Sequence, residues 1–371
     1  MPALSFDIFC EVIDNYGDIG VCWRLARQLK HMSAQYQVRL WVDDLESFAR
    51  IEPTVDPVAA GQCVAGVDIV RWTDDATRRT PAKVVIEAFG CELPARFVED
   101  MRACDSIWIN LEYLSAENWV EDCHARPSIQ SNGLRKAFFF PGFTTATGGL
   151  LREPDLLARR EAWLAQPRRR RKLLQSIGLP PAQIDKLENG TRQVFLFCYP
   201  SAPVAELVEA LRRQANPSVL LVASGVAPTL NTQSNDHVHV HACPFVDQDG
   251  FDQLLWSSDI NFVRGEDSLV RALWAARPLV WQPYPQDGQL HLAKLEAWLD
   301  ISPLDPGIRD LMTAWNAGQP GEFTQRFDRA LRDPDWAQWQ QQCHAWAQAL
   351  GRQADLAQSL VKFAVKQLRT G

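Results

Sequence analysis

The stretch Phe6-Asp7-Ile8-Phe9-Cys10-Glu11-Val12-Ile13-Asp14-Asn15-Tyr16-Gly17-Asp18-Ile19-Gly20 decides how the chain is read. Phe6 to Ile13 is apolar and β-rich, and Val21 to Leu29 has the spacing of a helix. Between them lies an acidic turn in which Gly17 and Gly20 permit a tight bend and close backbone approach. Val38 to Val42 is the next strand candidate, so the chain opens as a βαβ unit. In a doubly wound sheet, a turn after a strand lies at the carboxyl edge, where ligands bind.

The same grammar recurs downstream. Val67 to Arg71, Val84 to Glu87, Ser106 to Asn110 and Ala137 to Phe140 read as further strands of a first series. A second series comprises Val194 to Cys198, Val219 to Ala223, His237 to Ala242, Ile260 to Val263 and Leu279 to Trp281. Helical stretches such as Pro203 to Gln214 and Gln289 to Leu299 lie among these, and roughly 307–368 is almost wholly helical in pattern. Strands alternating with helices imply a mainly parallel sheet covered on both faces. The expected fold class is therefore α/β, with two Rossmann-like domains facing a central cleft and a helical C-terminal end, the GT-B pattern of glycosyltransferases. The compositional shift from Pro154 to Gly190 places the domain boundary at 185/186, giving domains 1–185 and 186–371, with the last helix a candidate to pack back on the first domain.

Composition narrows the class. At 371 residues, 46% hydrophobic and 22% charged, the chain suits two soluble domains, each with its own core. A formal net charge of −7 argues against a general nucleic-acid binder, which needs a basic surface. No apolar run is long enough to span a bilayer and the start lacks the pattern of a signal peptide. Nine cysteines without a Cys-x-x-Cys pair fit reduced thiols in a cytoplasm. Common phosphate-loop, nucleophile-elbow and zinc-protease motifs are absent, as is Gly-x-Gly-x-x-Gly.

A second turn, Arg264-Gly265-Glu266-Asp267-Ser268, has the same shape as the first. Gly265 allows the bend, Asp267 or Ser268 can cap the following helix, and free N–H groups at a helix start suit a pyrophosphate. Arg264 can add a bidentate contact. Asp14 and Asp18, four residues apart, can bind a cation, act as a base or orient a cationic acceptor. Purely structural roles stay open for both turns, Asp18 as a helix cap and Asp14 as a turn residue. In Cys243-Pro244-Phe245-Val246-Asp247-Gln248, an aromatic ring with an amide three residues later can stack on a pyrimidine, although such a Phe is also ordinary core. His237, His239, His241 and Cys243 alternate in a way that can hold zinc, but no matching further ligand is identifiable. The basic run Arg168 to Lys172 reads as a solvated face.

Ile8 to Leu29 closely resembles the opening of the bacterial protein-arginine rhamnosyltransferases, the EarP family. Phe138-Phe139-Phe140-Pro141-Gly142-Phe143, Arg264 to Ser268, and Trp281-Gln282-Pro283-Tyr284-Pro285-Gln286-Asp287-Gly288 resemble the same family in the same order. The resemblance implies a cytoplasmic, inverting transferase that moves L-rhamnose from dTDP-β-L-rhamnose to an arginine of translation elongation factor P, activating that factor to rescue ribosomes stalled at polyproline. It implies Asp18 as general base with Asp14 beside it, and Glu266 as an essential acid whose role stays open. Asp267 and Ser268 would meet the donor phosphates, with Tyr16, Gly17 and Gly265 also on the donor side. Phe245 and Gln248 would hold the thymine, and Phe197, Tyr199, Arg264 and Tyr284 would line the donor pocket. No metal, cofactor, nucleic-acid or membrane partner is expected. A GT-B enzyme with a small-molecule or glycan acceptor and a non-catalytic nucleotide-sugar binding protein stand as alternatives.

Overall fold

β1 (Ser5–Cys10) is buried at nearly every position, as expected of a strand covered on both faces. Its one charged residue, Asp7, is fully buried yet satisfied. Arg39 Nε donates to it at 2.5 Å, Trp41 Nε1 at 2.9 Å and the Ala82 N–H at 2.8 Å. β1 stops at Cys10 rather than reaching Ile13, because side-chain carboxylates take the next backbone donors. The Val12 N–H donates to Asp43 and the Ile13 N–H to Asp18, so neither is available to a ladder. The computed structural model describes residues 4–13, 16–73, 78–232, 234–286, 290–318 and 321–370.

The first unit comprises Met1–Pro154 and Arg352–Gly371. After β1 come α1 (Gly17–Met32), β2 (Gln37–Val42), α2 (Leu45–Ile51), β3 (Gly61–Val64), β4 (Val67–Arg71), β5 (Val84–Ala88), α3 (Ala95–Ala103), β6 (Ile107–Leu111), α4 (Trp119–Cys123), β7 (Pro127–Ile129) and β8 (Arg135–Phe139). The sheet order is β3-β4-β2-β1-β5-β6-β8-β7. The interior pairs are parallel, and only the two edge pairs, β3 with β4 and β7 with β8, are antiparallel. Strand order reverses around β1, which pairs with β2 on one side and β5 on the other, so the crevice of this sheet opens beyond the ends of β1 and β5.

The second unit, Asp155–Gly351, contains α5 (Leu156–Leu164), α6 (Pro167–Ser176), α7 (Pro181–Glu188), β9 (Arg192–Leu196), α8 (Val204–Arg212), β10 (Ser218–Val222), β11 (Val238–Ala242), α9 (Gln248–Ser257), β12 (Ile260–Arg264), α10 (Gly265–Ala275), β13 (Leu279–Gln282), α11 (Leu290–Ile301), α12 (Pro306–Ala317), α13 (Glu322–Ala330) and α14 (Asp335–Gly351). Its five strands run in the order β11-β10-β9-β12-β13 and all pair in parallel. The reversal falls between β9 and β12. Phe262 on β12 packs in an aromatic cluster with Trp315, Phe323 and Phe327 of the C-terminal helices.

The boundary lies at 154/155, not at the expected 185/186. α5 is bound into the second unit by Arg160, whose Nη1 donates to the Trp274 carbonyl at 2.5 Å, and by Trp163 edge-on to Trp256 at 6.0 Å. The basic run lies on α6. Arg170 donates to Gln193 at 2.9 Å and Arg171 to Asp185 at 2.6 Å, while Arg168, Arg169 and Lys172 are exposed. The final helix, α15 (Leu356–Thr370), belongs to the first unit. Its Leu356, Ala357, Leu360, Val361 and Ala364 share one core cluster with Trp23 and Leu25 of α1 and with Phe139. Gln28 of α1 donates to Asp355 at 2.7 Å, just before α15.

Candidate active site

In the first unit the acidic turn follows β1. Asp14 and Asn15 lie outside the described residues. α1 begins at Gly17, four residues earlier than its apolar spacing suggests, so Asp18 sits within its first turn and is not its N-cap. The cap position belongs to Tyr16, which makes no side-chain capping bond and whose hydroxyl accepts from Arg50 Nη1 at 3.2 Å. Asp18 is 3% exposed. Its Oδ2 accepts the Ile13 N–H at 2.9 Å, and its Oδ1 lies 3.5 Å from the hydroxyl of Tyr113, just beyond β6. Asp18 thus fastens the loop it ends, with a buried carboxylate at the carboxyl edge of the sheet.

The same unit carries further acidic groups at the ends of β5 and β6. Glu87 at the end of β5 accepts from Trp108 Nε1 at 2.9 Å and Lys136 Nζ at 3.1 Å. Asn110 Nδ2 donates to Glu112 at 2.6 Å. Burial pushes the carboxyls of Glu87 and Glu112 above the ordinary glutamate value; Lys136 opposes the shift at both, and the charge of Glu87 adds to it at Glu112.

In the second unit the corresponding turn follows β12 with no intervening loop. Gly265 has φ +67°, a left-handed conformation that glycine takes without penalty, and its carbonyl accepts Trp281 Nε1 at 2.8 Å. α10 therefore starts at Gly265, and neither Asp267 nor Ser268 caps it. Asp267 pairs with Arg271 at 2.7 Å, and the Ser268 hydroxyl donates back to the Arg264 carbonyl. Both side chains are engaged within their own helix, so what this turn offers a phosphate is backbone N–H.

Glu266 pairs with Lys294 of α11. Arg271 also pairs with Asp252 of α9 at 2.8 Å, each side chain about 5% exposed or less, and its Nη1 reaches the Gln248 carbonyl at 3.5 Å. Two acids in the first turn of α10 would repel an anion if left bare. Here each carries a cation, which leaves the helix terminus and Arg264 to set the local sign.

Arg264 lies at the switch between β9 and β12. Its guanidinium carbon is 4.5 Å from the Phe197 ring centroid and 4.6 Å from that of Tyr199, and its Nη1 donates to the Cys198 carbonyl at 3.1 Å. Tyr199 is held by its N–H on Gln282 Oε1 at 2.8 Å and stands perpendicular to Tyr284 at 5.4 Å. Tyr284 is 55% exposed and Phe245, in the loop before α9, is 47% exposed. Large aromatics at a sheet's ligand-binding edge that stay this open are not core. Phe197, Tyr199, Arg264, Gly265 and Tyr284 are brought together by these contacts, and Gln248 joins Asp267 through Arg271.

The histidine alternation resolves into backbone contacts. His237 Nε2 donates to the Gln214 carbonyl at 2.6 Å and His241 Nε2 to the Ile177 carbonyl at 2.9 Å. Among the described residues no group of three or more His, Cys, Asp or Glu is arranged to hold a metal ion. Lys294, Arg271 and Tyr113 emerge from the structure. Lys294 has no local sequence signal, and Arg271 has only its four-residue spacing from Asp267. The stretch Asn110-Leu111-Glu112-Tyr113 reads from sequence as a cleft loop, but Asn110 and Leu111 belong to β6 and only Glu112 and Tyr113 lie beyond it.

Residues 6–365 match the family model described as elongation-factor P (EF-P) rhamnosyltransferase EarP. The chain belongs to the EarP family. Membership makes it an enzyme, a glycosyltransferase of the protein-arginine rhamnosyltransferase group. It is 44% identical to the protein-arginine rhamnosyltransferase of Pseudomonas aeruginosa over 97% of this chain and 98% of that one. With the enzyme of the same name from Neisseria meningitidis serogroup B, identity is 36%, covering 98% of each chain. A solved EarP structure, described as the structural basis for EarP-mediated arginine glycosylation of translation elongation factor EF-P, superposes with a TM-score of 0.64 at 33% identity, covering 98% of this chain and 99% of that one. A UDP-glucose:anthocyanidin 3-O-glucosyltransferase in complex with UDP shares the fold, with a TM-score of 0.53 at 9% identity over 99% of this chain and 98% of that one. The chain thus has the GT-B architecture of two Rossmann-like units. No helix among the described residues is long and apolar enough to cross a membrane.

Proposed function

We propose that this chain transfers L-rhamnose from dTDP-β-L-rhamnose to an arginine side chain of translation elongation factor P in the cytoplasm, with inversion, and so activates the factor for ribosomes stalled at polyproline. The observation that carries the reading is Asp18, a buried carboxylate at the ligand-binding edge of the first unit, in a chain of the EarP family. The family is described as acting on elongation factor P, and the solved EarP structure concerns arginine glycosylation of that factor.

The chemistry requires such a group. A guanidinium stays protonated and spreads its electron pairs over three nitrogens, so it is a poor nucleophile. Asp18, with Asp14 beside it in sequence, holds the guanidinium and accepts a proton from the attacking nitrogen as the bond to the anomeric carbon forms. The anomeric C–O bond to the diphosphate breaks in the same displacement, and dTDP leaves with that electron pair. A β donor then yields an α product.

On the donor side, Phe245 stacks on the thymine with Gln248 as its hydrogen-bonding partner. Phe197, Tyr199 and Tyr284 enclose the donor, and Tyr16 and Gly17 meet the sugar. Arg264 and the first-turn N–H groups of α10, including those of Asp267 and Ser268, stabilise the departing diphosphate without a metal. Glu266 positions the sugar or acceptor, its charge balanced by Lys294.

The test is the intact mass of elongation factor P after incubation with the enzyme and dTDP-rhamnose, with and without a chelator. A deoxyhexose increment in both is expected. No increment rejects the acceptor or donor assignment, and an increment lost only with chelator rejects the metal-free one. The anomeric configuration of the product, read by NMR, tests inversion.

A further inference from the structure

Three segments converge where the strand order of the first unit's sheet reverses. α1, after β1, supplies Asp18; the turn after β5 supplies Phe89; the turn after β6 supplies Tyr113. The Tyr113 ring stacks on Phe89 with centroids 4.5 Å apart and planes inclined by 17°. Its hydroxyl reaches toward Asp18 Oδ1 at 3.5 Å.

Phe89 takes φ +58°, a left-handed conformation that costs a bulky L-residue energy. It is held there from β6: the Phe89 N–H donates to the Leu111 carbonyl at 2.7 Å, and the Gly90 N–H to Asn110 Oδ1 at 3.2 Å. The result is a flat aromatic pair, braced from behind, whose outer member is 39% exposed beside a buried carboxylate. Ile13, whose N–H holds the other oxygen of Asp18, is 71% exposed.

An aromatic face next to a carboxylate is complementary to one chemical class in particular, a planar cation. A guanidinium can lie flat on a ring while its in-plane N–H groups point at a carboxylate, and its aliphatic stem suits an exposed apolar neighbour. An ammonium gains less, because it has no plane to stack. We infer that Tyr113, backed by Phe89, is the face on which the acceptor guanidinium lies while Asp18 receives its N–H groups. The inference rests on the arginine acceptor proposed above. Tyr113 contributes stacking, which orients the cation, and its hydroxyl is secondary.

Two variants of the full-length enzyme separate face from hydroxyl. Tyr113→Leu removes the plane, and Tyr113→Phe keeps it. With elongation factor P as acceptor, Tyr113→Leu should raise the acceptor KM about tenfold, the scale of a partly desolvated cation–π contact. Tyr113→Phe should restore most of the acceptor KM that Tyr113→Leu loses, and dTDP affinity by calorimetry should be unchanged in both, which also reports that they are folded. Saturation-transfer NMR with N-acetyl-arginine amide and N-acetyl-lysine amide gives a readout that needs no transfer. Contact with the arginine compound should be seen in wild type, lost in Tyr113→Leu and retained in Tyr113→Phe. An unchanged acceptor KM in Tyr113→Leu, a loss that falls on dTDP binding instead, or equal contact of the two amides overturns the inference. If wild type fails to modify the factor yet holds the arginine compound through Tyr113, the guanidinium seat stands and the proposed acceptor protein is wrong.

Discussion

Glu266, in the first turn of α10, forms an ion pair with Lys294, 28 residues downstream on α11. On the proposed reading the pair gives a reason for placing an acid beside the leaving diphosphate: the carboxylate is present with its charge already matched. Lys294→Met should lower kcat about ten- to a hundredfold, the range for losing a hydrogen bond to a charged group, and Lys294→Arg should recover much of it. Steady-state kinetics across pH check this. Wild-type kcat in Lys294→Met would show that Glu266 works without its partner.

Asp18→Asn keeps an oxygen for the Ile13 N–H and removes the proposed base. Transfer should fall about a hundred- to ten-thousandfold, with dTDP binding preserved. Single-turnover modification of elongation factor P and calorimetry with dTDP measure the two separately. Normal turnover assigns the base elsewhere.

Phe245 is half exposed in the loop ahead of α9, as a stacking platform must be. Phe245→Ala should weaken dTDP binding by about 1–3 kcal/mol, the range for a base stacked on an aromatic side chain. Equal affinity for dTDP and for inorganic pyrophosphate-containing analogues lacking a base, already in wild type, would remove the thymine from that site.

Arg271 joins α9 to α10 by pairing with both Asp252 and Asp267, all three side chains largely buried. Arg271→Leu leaves two carboxylates without their cation and should cost about 3–5 kcal/mol in chemical unfolding of the second unit. Adding Asp252→Asn and Asp267→Asn should return part of that loss. A triple variant no more stable than the single one would mean that packing of the arginine stem dominates.

Glu112 has its carboxyl raised above the ordinary glutamate value of 4.5, first by burial and then by the charge of Glu87. A raised carboxyl binds its proton more tightly folded than unfolded, so its favourable contribution is fully present below 4.5 and is lost as pH rises through the folded value. Wild type should therefore gain stability relative to Glu112→Gln between pH 7 and about pH 4. Urea unfolding at several pH values reads the difference, and a wild type that loses stability relative to Glu112→Gln toward low pH contradicts the assignment.

The strands of both sheets were legible because buried parallel strands are continuous apolar runs; Val67 to Arg71 is β4 to the residue. The edge strands β3 and β7 were not, since they are short and half exposed and their sequences lack such a run. The boundary was misread because α5 to α7 are charged on the surface and say nothing locally about which core receives Trp163 or Leu174. In the site, the two glycine-containing acidic turns could be found because their bend and charge are written in consecutive residues. What the charges do could not be, because Lys294 reaches Glu266, Asp252 reaches Arg271 and Tyr113 reaches Asp18 only through packing of separate helices and strands.

α15 supplies part of the core around α1, although 197 residues of the second unit intervene between Pro154 and Arg352. On the ribosome the second unit is contiguous and can close as soon as it emerges, whereas the first must wait with an open apolar face on α1 until its last helix is made. The half that carries Asp18 thus becomes a finished structure only after the whole of the second unit has been made, and removing α15 would injure the first unit while leaving every residue of the contiguous second unit in place.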